Sequence, residues 1–248
     1  MVLVGGTRGD GSSRLGGVLS GLAVAAGCLL FLGGFVWGAL VYRPYTVPTD
    51  SMVPTVNVGD RVLAERIDGG DVRRGDVVVF RDGLWGDLPM IKRVVGVGGD
   101  EIACCGESGR LTVNGQEIDE PYLRASGPAA QDFTARVPEG NLFLLGDDRR
   151  TSLDSRSHLE QEGNGSVPRS AVDARVDAVA WPLGGGSVER PAAFATLPGG
   201  VSQAGPIRWM LAAVVTGTLL IAGGAAYGPV AERIAAGRRR RGEAAGAA

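Results

Sequence analysis

Lys92 is the residue whose chemistry stands out first, because it is the only lysine among 25 basic residues. It lies in "PMIKRVVGVGGDEI", with Met90, Ile91, Val94 and Val95 around it. An arginine cannot be deprotonated in a protein, whereas burial among apolar side chains lowers the pKa of a lysine and lets it act as a base. The 41 glycines and the many alanines and arginines also fit a GC-rich coding bias, under which one lysine survives by chance. A catalytic lysine therefore requires a nucleophile elsewhere in the sequence.

Ser51 is a candidate for that nucleophile. It lies in "PTDSMVPT", residues 48–55, where Pro48 and Pro54 exclude both a helix and a central strand. A serine hydroxyl is a weak nucleophile that needs a neighbouring base, and Lys92 can supply one. The alternative is a proline-rich spacer that contains an incidental serine.

His158 is the only histidine, so it is the other candidate base. Its segment, "SRSHLEQEGNG", is hydrophilic and favours a solvated loop residue. One histidine excludes an HExxH motif, and the three cysteines have no zinc-type spacing, so we expect neither a metal nor another cofactor. The adjacent Cys104 and Cys105 form either a vicinal disulfide or two separate thiols.

A third polar block, "GDDRRTSLDSR" at 146–156, follows an apolar strand. Its acidic, basic and hydroxyl residues lie within eleven positions, which favours a scaffold of carboxylate–guanidinium pairs over a merely solvated loop. A hydroxyl such as that of Ser152 would hold the lysine amine.

These blocks resemble, in chain order, the sequence boxes of bacterial type I signal peptidases. The matching stretches are "SMVPT" at 51–55, "GDVVVF" at 75–80, "IKRVVGVGGD" at 91–100 and "GDDRRTSLDSR" at 146–156. "VDAVAWP" resembles the closing strand of that family, and the similarity covers about 43–182 and the N-terminal anchor. A second anchor near the C-terminus resembles a variant from high-GC Gram-positive bacteria.

The resemblance implies a Ser/Lys dyad with Ser51 as nucleophile and Lys92 as general base. It implies that the Thr49 hydroxyl and the Ser51 amide form the oxyanion hole, and that Ser152 orients the lysine. The salt-bridged scaffold is implied at Asp147, Arg149, Asp154 and Arg156. Asp148 and Gly98 depart from the usual asparagine and proline, and the extra carboxylate of Asp148 is expected to raise the pKa of the lysine.

Two uncharged segments can anchor such a domain. Residues 15–42 carry no charge over 28 positions, and residues 209–227 carry none over 19, whereas about 20 apolar residues span a bilayer. The first is longer than the apolar core of a cleaved signal peptide, and no clear cleavage site follows it. The second contains three glycines and has a buried helix as its alternative.

Basic residues outside these segments predict the orientation. Arg8 and Arg14 precede the first, and Arg233 and Arg238–Arg241 follow the second, which places both ends in the cytoplasm of a multi-pass plasma-membrane protein. The extracytoplasmic region 43–208 has 18 basic and 24 acidic residues, a net charge of −6, which argues against nucleic-acid binding. The predicted order is a tail (1–14), a transmembrane helix (15–42), a catalytic domain (43–182), a linker (183–207), a transmembrane helix (208–228) and a basic tail (229–248).

Short apolar runs between turns predict that the domain is mostly β. Strands are expected at 60–66, 76–81, 90–97, 141–148 and 171–182, the last with Val172, Ala174, Val176 and Ala178 on one face. "RLTVNGQEI" at 110–118 predicts a hairpin with Asn114-Gly115 at its turn. The fold class is therefore a signal-peptidase-like antiparallel β domain flanked by an N-terminal and a C-terminal transmembrane helix.

The function expected from the resemblance is a membrane-bound serine endopeptidase that removes signal peptides from secreted pre-proteins. Its expected partners are those signal peptides, the lipid bilayer and the secretion translocon. One alternative is a Ser/Lys protease of the self-cleaving SOS repressor type, which the two anchors and the acidic domain disfavour. Another is a non-catalytic membrane-anchored β module that binds a surface partner, which the complete dyad disfavours.

Overall fold

The computed structural model describes residues 10–106, 109–123 and 132–246, without the side chains of 10–15, 87 and 231–246. Most of the expected N-terminal tail, including Arg8, lies outside the described residues. The chain divides into two compact units. One consists of the two terminal segments, and the other is the domain Val41–Gly205.

The terminal unit consists of helices α1 (Asp10–Val41) and α2 (Ile207–Gly246). Both are long and apolar enough to cross a membrane, over Gly16–Val41 and Ile207–Val230, with mean hydropathies of 2.2 and 1.8. The α2 backbone continues far beyond the predicted end at 228, so the expected tail from 229 is helical up to Gly246. Alanine, arginine and glutamate dominate that extension and are good helix formers.

Glycines bring α1 and α2 into close contact. A Cβ atom at Gly27 would collide with the backbone of Gly217, and one at Gly217 would collide with the backbone of Gly27 and Phe31. The Ser20 hydroxyl donates to the Gly224 carbonyl at 2.7 Å. Small residues and such hydrogen bonds are how helices associate where no water drives them together.

The β domain is built from two antiparallel sheets. The strands in the described part of the chain are β1 (Tyr42–Thr46), β2 (Arg61–Glu65), β3 (Val77–Asp82), β4 (Gly86–Val97), β5 (Glu101–Cys104), β6 (Thr112–Val113), β7 (Gln116–Glu117), β8 (Phe133–Arg136), β9 (Asn141–Leu145), β10 (Val167–Pro168) and β11 (Val172–Trp181). The larger sheet has the order β1-β2-β11-β3-β4-β9-β10, and the smaller has the order β7-β6-β5-β8. This confirms the mostly-β fold class with an apolar helix near each end.

The predicted strands form with small shifts at their ends. The hairpin turn also forms where expected, since Asn114 and Gly115 have φ values of 54° and 78°. Two positive φ values are what a two-residue turn between antiparallel strands needs, and asparagine and glycine tolerate them best. The turn pairs β6 with β7 in the smaller sheet.

The prediction that Val172, Ala174, Val176 and Ala178 share one face of the last strand is wrong in detail. Ala174 and Val176 pack in one apolar cluster with Val62 and Val79, but Val172 packs in another with Phe80. The register of β11 shifts between Val172 and Ala174 and again between Val176 and Ala178. Each bulge interrupts the two-residue alternation, so residues of one predicted face turn in different directions.

Residues 183–207, expected to be a linker, fold onto the β domain as far as Gly205. Ser187 forms a bridge to Ala178 of β11, and Val188, Phe194 and Leu197 are buried. The apolar side chains are spaced between glycines and prolines, so the segment packs without forming a regular strand. The glycine- and proline-rich composition of the segment correctly predicted an irregular backbone, but it did not predict that the segment is buried.

Strand β5 ends at Cys104, which forms a disulfide with the adjacent Cys105. This is one of the two states that the sequence left open. Cys104 packs in the apolar cluster below the smaller sheet with Ile102 and Phe133, and Cys28 of α1 is a free thiol.

Candidate active site

Ser51 and Lys92 lie side by side although 41 positions separate them in the chain. The distance from Lys92 Nζ to Ser51 Oγ is 2.6 Å, and both side chains are buried. A lysine ammonium donates a hydrogen bond across this distance, and a neutral amine accepts the serine proton across it. The structure therefore brings together the two residues of the predicted dyad.

The turn that carries Ser51 is fixed from below by apolar side chains. It follows β1, and Met52 and Val56 on either side of Pro54 are almost completely buried among residues of β2, β3 and β11. The Val53 amide donates to Asp50 O at 3.0 Å, and the Val56 amide donates to Met52 O at 3.1 Å. The two prolines keep the segment out of a helix or ladder, so the serine sits at the bend.

Lys92 is positioned by a strand that is hydrogen-bonded on both sides. In β4 it lies opposite Val78 of β3, and its neighbours Arg93 and Val94 lie opposite Leu145 and Leu144 of β9. The loop 146–156 begins where β9 ends, so sheet pairing alone brings that block beside the lysine. Pairing on both sides fixes the backbone from which the lysine side chain reaches the serine.

Burial lowers the pKa of Lys92 from 10.5 to about 8. The Asp154 carboxylate, followed by Asp147 and Asp50, acts in the opposite direction, and the Arg156 guanidinium lowers the pKa. Asp148, expected from the sequence to raise this pKa, is not among these charges. A pKa near 8 leaves a useful fraction of neutral amine at neutral pH.

Two groups at Ser51 can donate hydrogen bonds. Thr49 Oγ1 is 3.2 Å from Ser51 Oγ. Within the described residues, the Ser51 amide donates to no other group. A free amide and a hydroxyl next to a candidate nucleophile are the kind of donors that stabilise a tetrahedral intermediate.

Ser152 is also at the site, but it does not contact Lys92 within hydrogen-bond distance. Its Oγ is buried and has no hydrogen-bond partner among the described residues. Its amide donates to Asp148 O at 3.1 Å, and its side chain packs against Gly146, where a Cβ atom would collide with it. The role of orienting the lysine stays a prediction.

Ion pairs support the site, but two of the three pairs reach outside the predicted loop. Asp154 binds Arg156 within the loop through two hydrogen bonds of 2.8 Å. Asp147 instead binds Arg93 of β4, at 2.9 and 2.7 Å, and both side chains are almost fully buried. Arg149 binds Glu120, at 2.8 and 2.5 Å.

Arg93, Glu120 and Tyr122 are the residues that the sequence analysis missed. The Arg93 guanidinium lies 4.0 Å from the centre of the Tyr122 ring, and the Tyr122 hydroxyl donates to Glu120 at 2.5 Å. Burial, with Glu120 beside it, raises the pKa of Tyr122 well above its usual value. Arg93 was visible next to Lys92 in the sequence, but nothing in the spacing indicated that "DEPYL" at 119–123 would reach this site.

His158 is placed away from the dyad. Its ring stacks on Trp85 with the ring centres 4.7 Å apart, and its Nδ1 lies 3.0 Å from Gln161 Oε1. Neither partner belongs to the Ser51–Lys92 pair, so the base that lies within reach of the serine is the lysine.

Comparison with known proteins points to one family. A family model described as "Signal peptidase, peptidase S26" matches residues 19–181. Signal peptidase I of Bacillus caldolyticus is 37% identical over 158 residues, which cover 58% of this chain and 81% of the relative. A probable signal peptidase I of Mycobacterium leprae (strain TN) is 30% identical over 207 residues, which cover 60% and 71%. The crystal structure of a signal peptidase I from Enterococcus faecalis V583 is 27% identical, covers 42% of this chain and 94% of its own, and gives a TM-score of 0.34.

Proposed function

The chain belongs to the peptidase S26 family of signal peptidases, serine peptidases that remove signal peptides, and we propose that it acts through a dyad of Ser51 and Lys92. The observation that carries the proposal is the 2.6 Å contact between Lys92 Nζ and Ser51 Oγ in a buried setting. A lone buried lysine next to a serine at a proline-bracketed bend has no evident structural purpose. An arginine at this position would keep the positive charge but could not supply the base.

The reaction begins with the neutral amine of Lys92. The amine takes the hydroxyl proton of Ser51 as the serine oxygen attacks the carbonyl carbon of the scissile peptide bond. The resulting ammonium passes its proton to the leaving amine of the mature protein. Water then attacks the acyl-serine while the same lysine takes a proton from it. The bond between the acyl carbon and Ser51 Oγ breaks, the ammonium returns the proton to Ser51 Oγ, and the signal peptide leaves with a new carboxyl end.

The oxyanion of each tetrahedral intermediate is assigned to the Ser51 amide and the Thr49 hydroxyl. One such donor contributes about 2.7–4 kcal/mol of transition-state stabilisation in a dry site. The buried Ser152 hydroxyl, which has no hydrogen-bond partner among the described residues, is assigned to orienting the lysine amine. The pairs of Asp147 with Arg93 and of Asp154 with Arg156 hold the loop in place and set the charge around the amine.

We further assign α1 and α2 to the membrane, with the β domain outside the cell and both ends in the cytoplasm. The support is the length and hydropathy of the two helices and the arginines beyond them. The substrates would be pre-proteins cut after a small residue, presented at the bilayer surface and received from the secretion translocon.

The test is to incubate the full chain in detergent with a secreted pre-protein and to map the cut by mass spectrometry. We expect one cut at the end of the signal peptide, and we expect none with Ser51→Ala. A Ser51→Ala protein that is folded and still makes the same cut would overturn the assignment of the nucleophile.

A further inference from the structure

The loop 149–157 lines a cavity of about 580 Å³. Its walls are the continuous run 149–153 together with Arg156 and Ser157. Three of these residues are arginines, three carry hydroxyls and none carries a carboxylate. A cavity of this volume accepts a small ligand or a few side chains, and its walls favour an anion.

The positive charge of the cavity comes from Arg150. Arg149 is neutralised by Glu120, and Arg156 is neutralised by Asp154. The exposed Arg150 has no carboxylate within ion-pair distance in the part of the chain that the structure describes. The nearby Asp148 carboxylate accepts the Arg150 amide at 3.2 Å and is not part of the cavity wall.

Backbone hydrogen bonds connect the cavity to the nucleophile. The Asp148 amide donates to Ser51 O at 3.0 Å, and the Ser152 amide donates to Asp148 O at 3.1 Å. Ser152, whose buried hydroxyl has no partner among the described residues, forms part of the wall. These two hydrogen bonds place part of the cavity wall close to Ser51, and an extended peptide advances about 3.3–3.6 Å per residue.

We propose that this cavity binds a carboxylate side chain of the pre-protein near the scissile bond, and that Arg150 is the specificity-determining residue. This inference rests on the proposed function and names a preference within its substrates. The planar guanidinium matches a carboxylate with two parallel hydrogen bonds. The hydroxyls of Thr151 and Ser157 add further donors along the same wall.

A phosphate of an anionic lipid headgroup also suits such a cavity chemically. The link between the cavity wall and Ser51 favours the substrate, because the proposed reaction brings a peptide to Ser51. The lipid is an outcome that the test distinguishes.

The experiment uses the full chain in neutral detergent and a set of peptides cut after alanine. In the set, Asp or Asn replaces one residue at a time, at the second to fourth positions before the cut and at the first to fourth positions after it. We expect Asp to raise kcat/KM about three- to tenfold over Asn at one position, less so at high salt. The ratio is formed within one enzyme, so any general change in activity cancels. Arg150→Gln should abolish the Asp/Asn ratio, and Arg150→Glu should reverse it and prefer Lys at the same position.

Arg61→Gln is the matched control, because Arg61 is an exposed arginine of β2 outside the cavity wall. This variant should keep the wild-type Asp/Asn ratio. An Asp/Asn ratio of one at every position, or a ratio that survives Arg150→Gln, overturns the proposal. In either case, cleavage of the Asn peptides still upholds the proposed function. Activation by phosphatidylglycerol micelles that depends on Arg150, with no preference for Asp, would assign the cavity to lipid instead. If the wild type cuts no peptide, the proposed function and this inference both fail.

Discussion

Lys92 carries the proposed reaction because its amine can lose a proton near neutral pH, which no arginine can do. Its burial has a direct energetic consequence, since a pKa lowered to about 8 means that the protein destabilises the ammonium form. The base is therefore prepared before a substrate arrives.

Lys92→Arg keeps a positive charge on a similar side chain but removes the base. We expect kcat/KM for pre-protein cleavage to fall by about a thousandfold or more, as for Ser51→Ala, because the two residues act as one unit. The double variant should be no slower than either single variant. A Lys92→Arg enzyme that keeps more than a few per cent of wild-type activity would contradict the dyad.

The pH dependence of kcat/KM should follow the amine. Only neutral Lys92 acts as a base, so the rate should rise with pH with a midpoint near 8. Arg156 lowers the pKa of Lys92, and it also neutralises Asp154, whose carboxylate raises that pKa. Arg156→Gln should therefore move the rising limb to higher pH, with a roughly threefold loss at pH 7 for a pKa change of about half a unit.

The control for this shift is Arg81→Gln. Arg81 forms an exposed ion pair with Asp173 at 3.1 Å and is not among the main charges that act on Lys92. The midpoint should stay at the wild-type value in this variant. If the midpoint of the pH–rate profile moved to lower pH in Arg156→Gln, Arg156 would not be lowering the pKa of Lys92.

The site was predictable from the sequence where its residues lie in short blocks. The resemblance of the blocks around Ser51, Lys92 and the loop 146–156, in chain order, to the boxes of the family was sufficient to expect their meeting, and the structure brings them together. The partners of Asp147 and Arg149 were not predictable in this way. Arg93 and Glu120 reach them through sheet pairing and a long connection, and sequence spacing contains no information on either.

At the scale of elements, the pairing of β4 with β3 and β9 builds the site. Local patterns predicted these strands and the Asn114-Gly115 turn, because alternation and turn chemistry are local properties. The bulges of β11 and the packing of 183–205 depend on contacts with distant residues. They were missed for that reason.

The segment 119–123 is an element whose role the structure suggests. Glu120 holds Arg149, and the Tyr122 ring lies against Arg93, so the segment clamps two arginines of the site from one side. Because the Arg149–Glu120 pair is buried, Glu120→Gln should lower the free energy of unfolding by roughly 3–5 kcal/mol, measured as a fall in Tm in detergent.

Asp119→Asn is the adjacent control. Its partner Arg110 lies 4.0 Å away and both side chains are exposed, so we expect a change within about 0.5 kcal/mol. Equal Tm values for the two variants would mean that the segment does not clamp the site.

At the scale of the whole molecule, the two helices and the arginines beyond them predict a hairpin in the membrane. The close approach of Gly27 and Gly217 and the Ser20 hydrogen bond to Gly224 suit packing inside a bilayer. Protease added outside intact protoplasts should therefore digest the β domain and spare an epitope tag at the C-terminus.

Permeabilised protoplasts are the control, in which the tag should be lost as well. A tag that is digested from outside in intact protoplasts would disprove the two-anchor topology. A protected β domain would reverse the predicted orientation.

The single lysine also allows local unfolding around β4 to be measured by proteolysis. A lysine-specific endoprotease has one bond to cut, after residue 92, and it would release the fragments 1–92 and 93–248. That bond lies within β4, paired with strands on both sides, so cleavage requires the strand to separate from the sheet. The rate of this one cut therefore measures how often the reaction centre comes apart, and a ligand that rests on Ser51 will slow it.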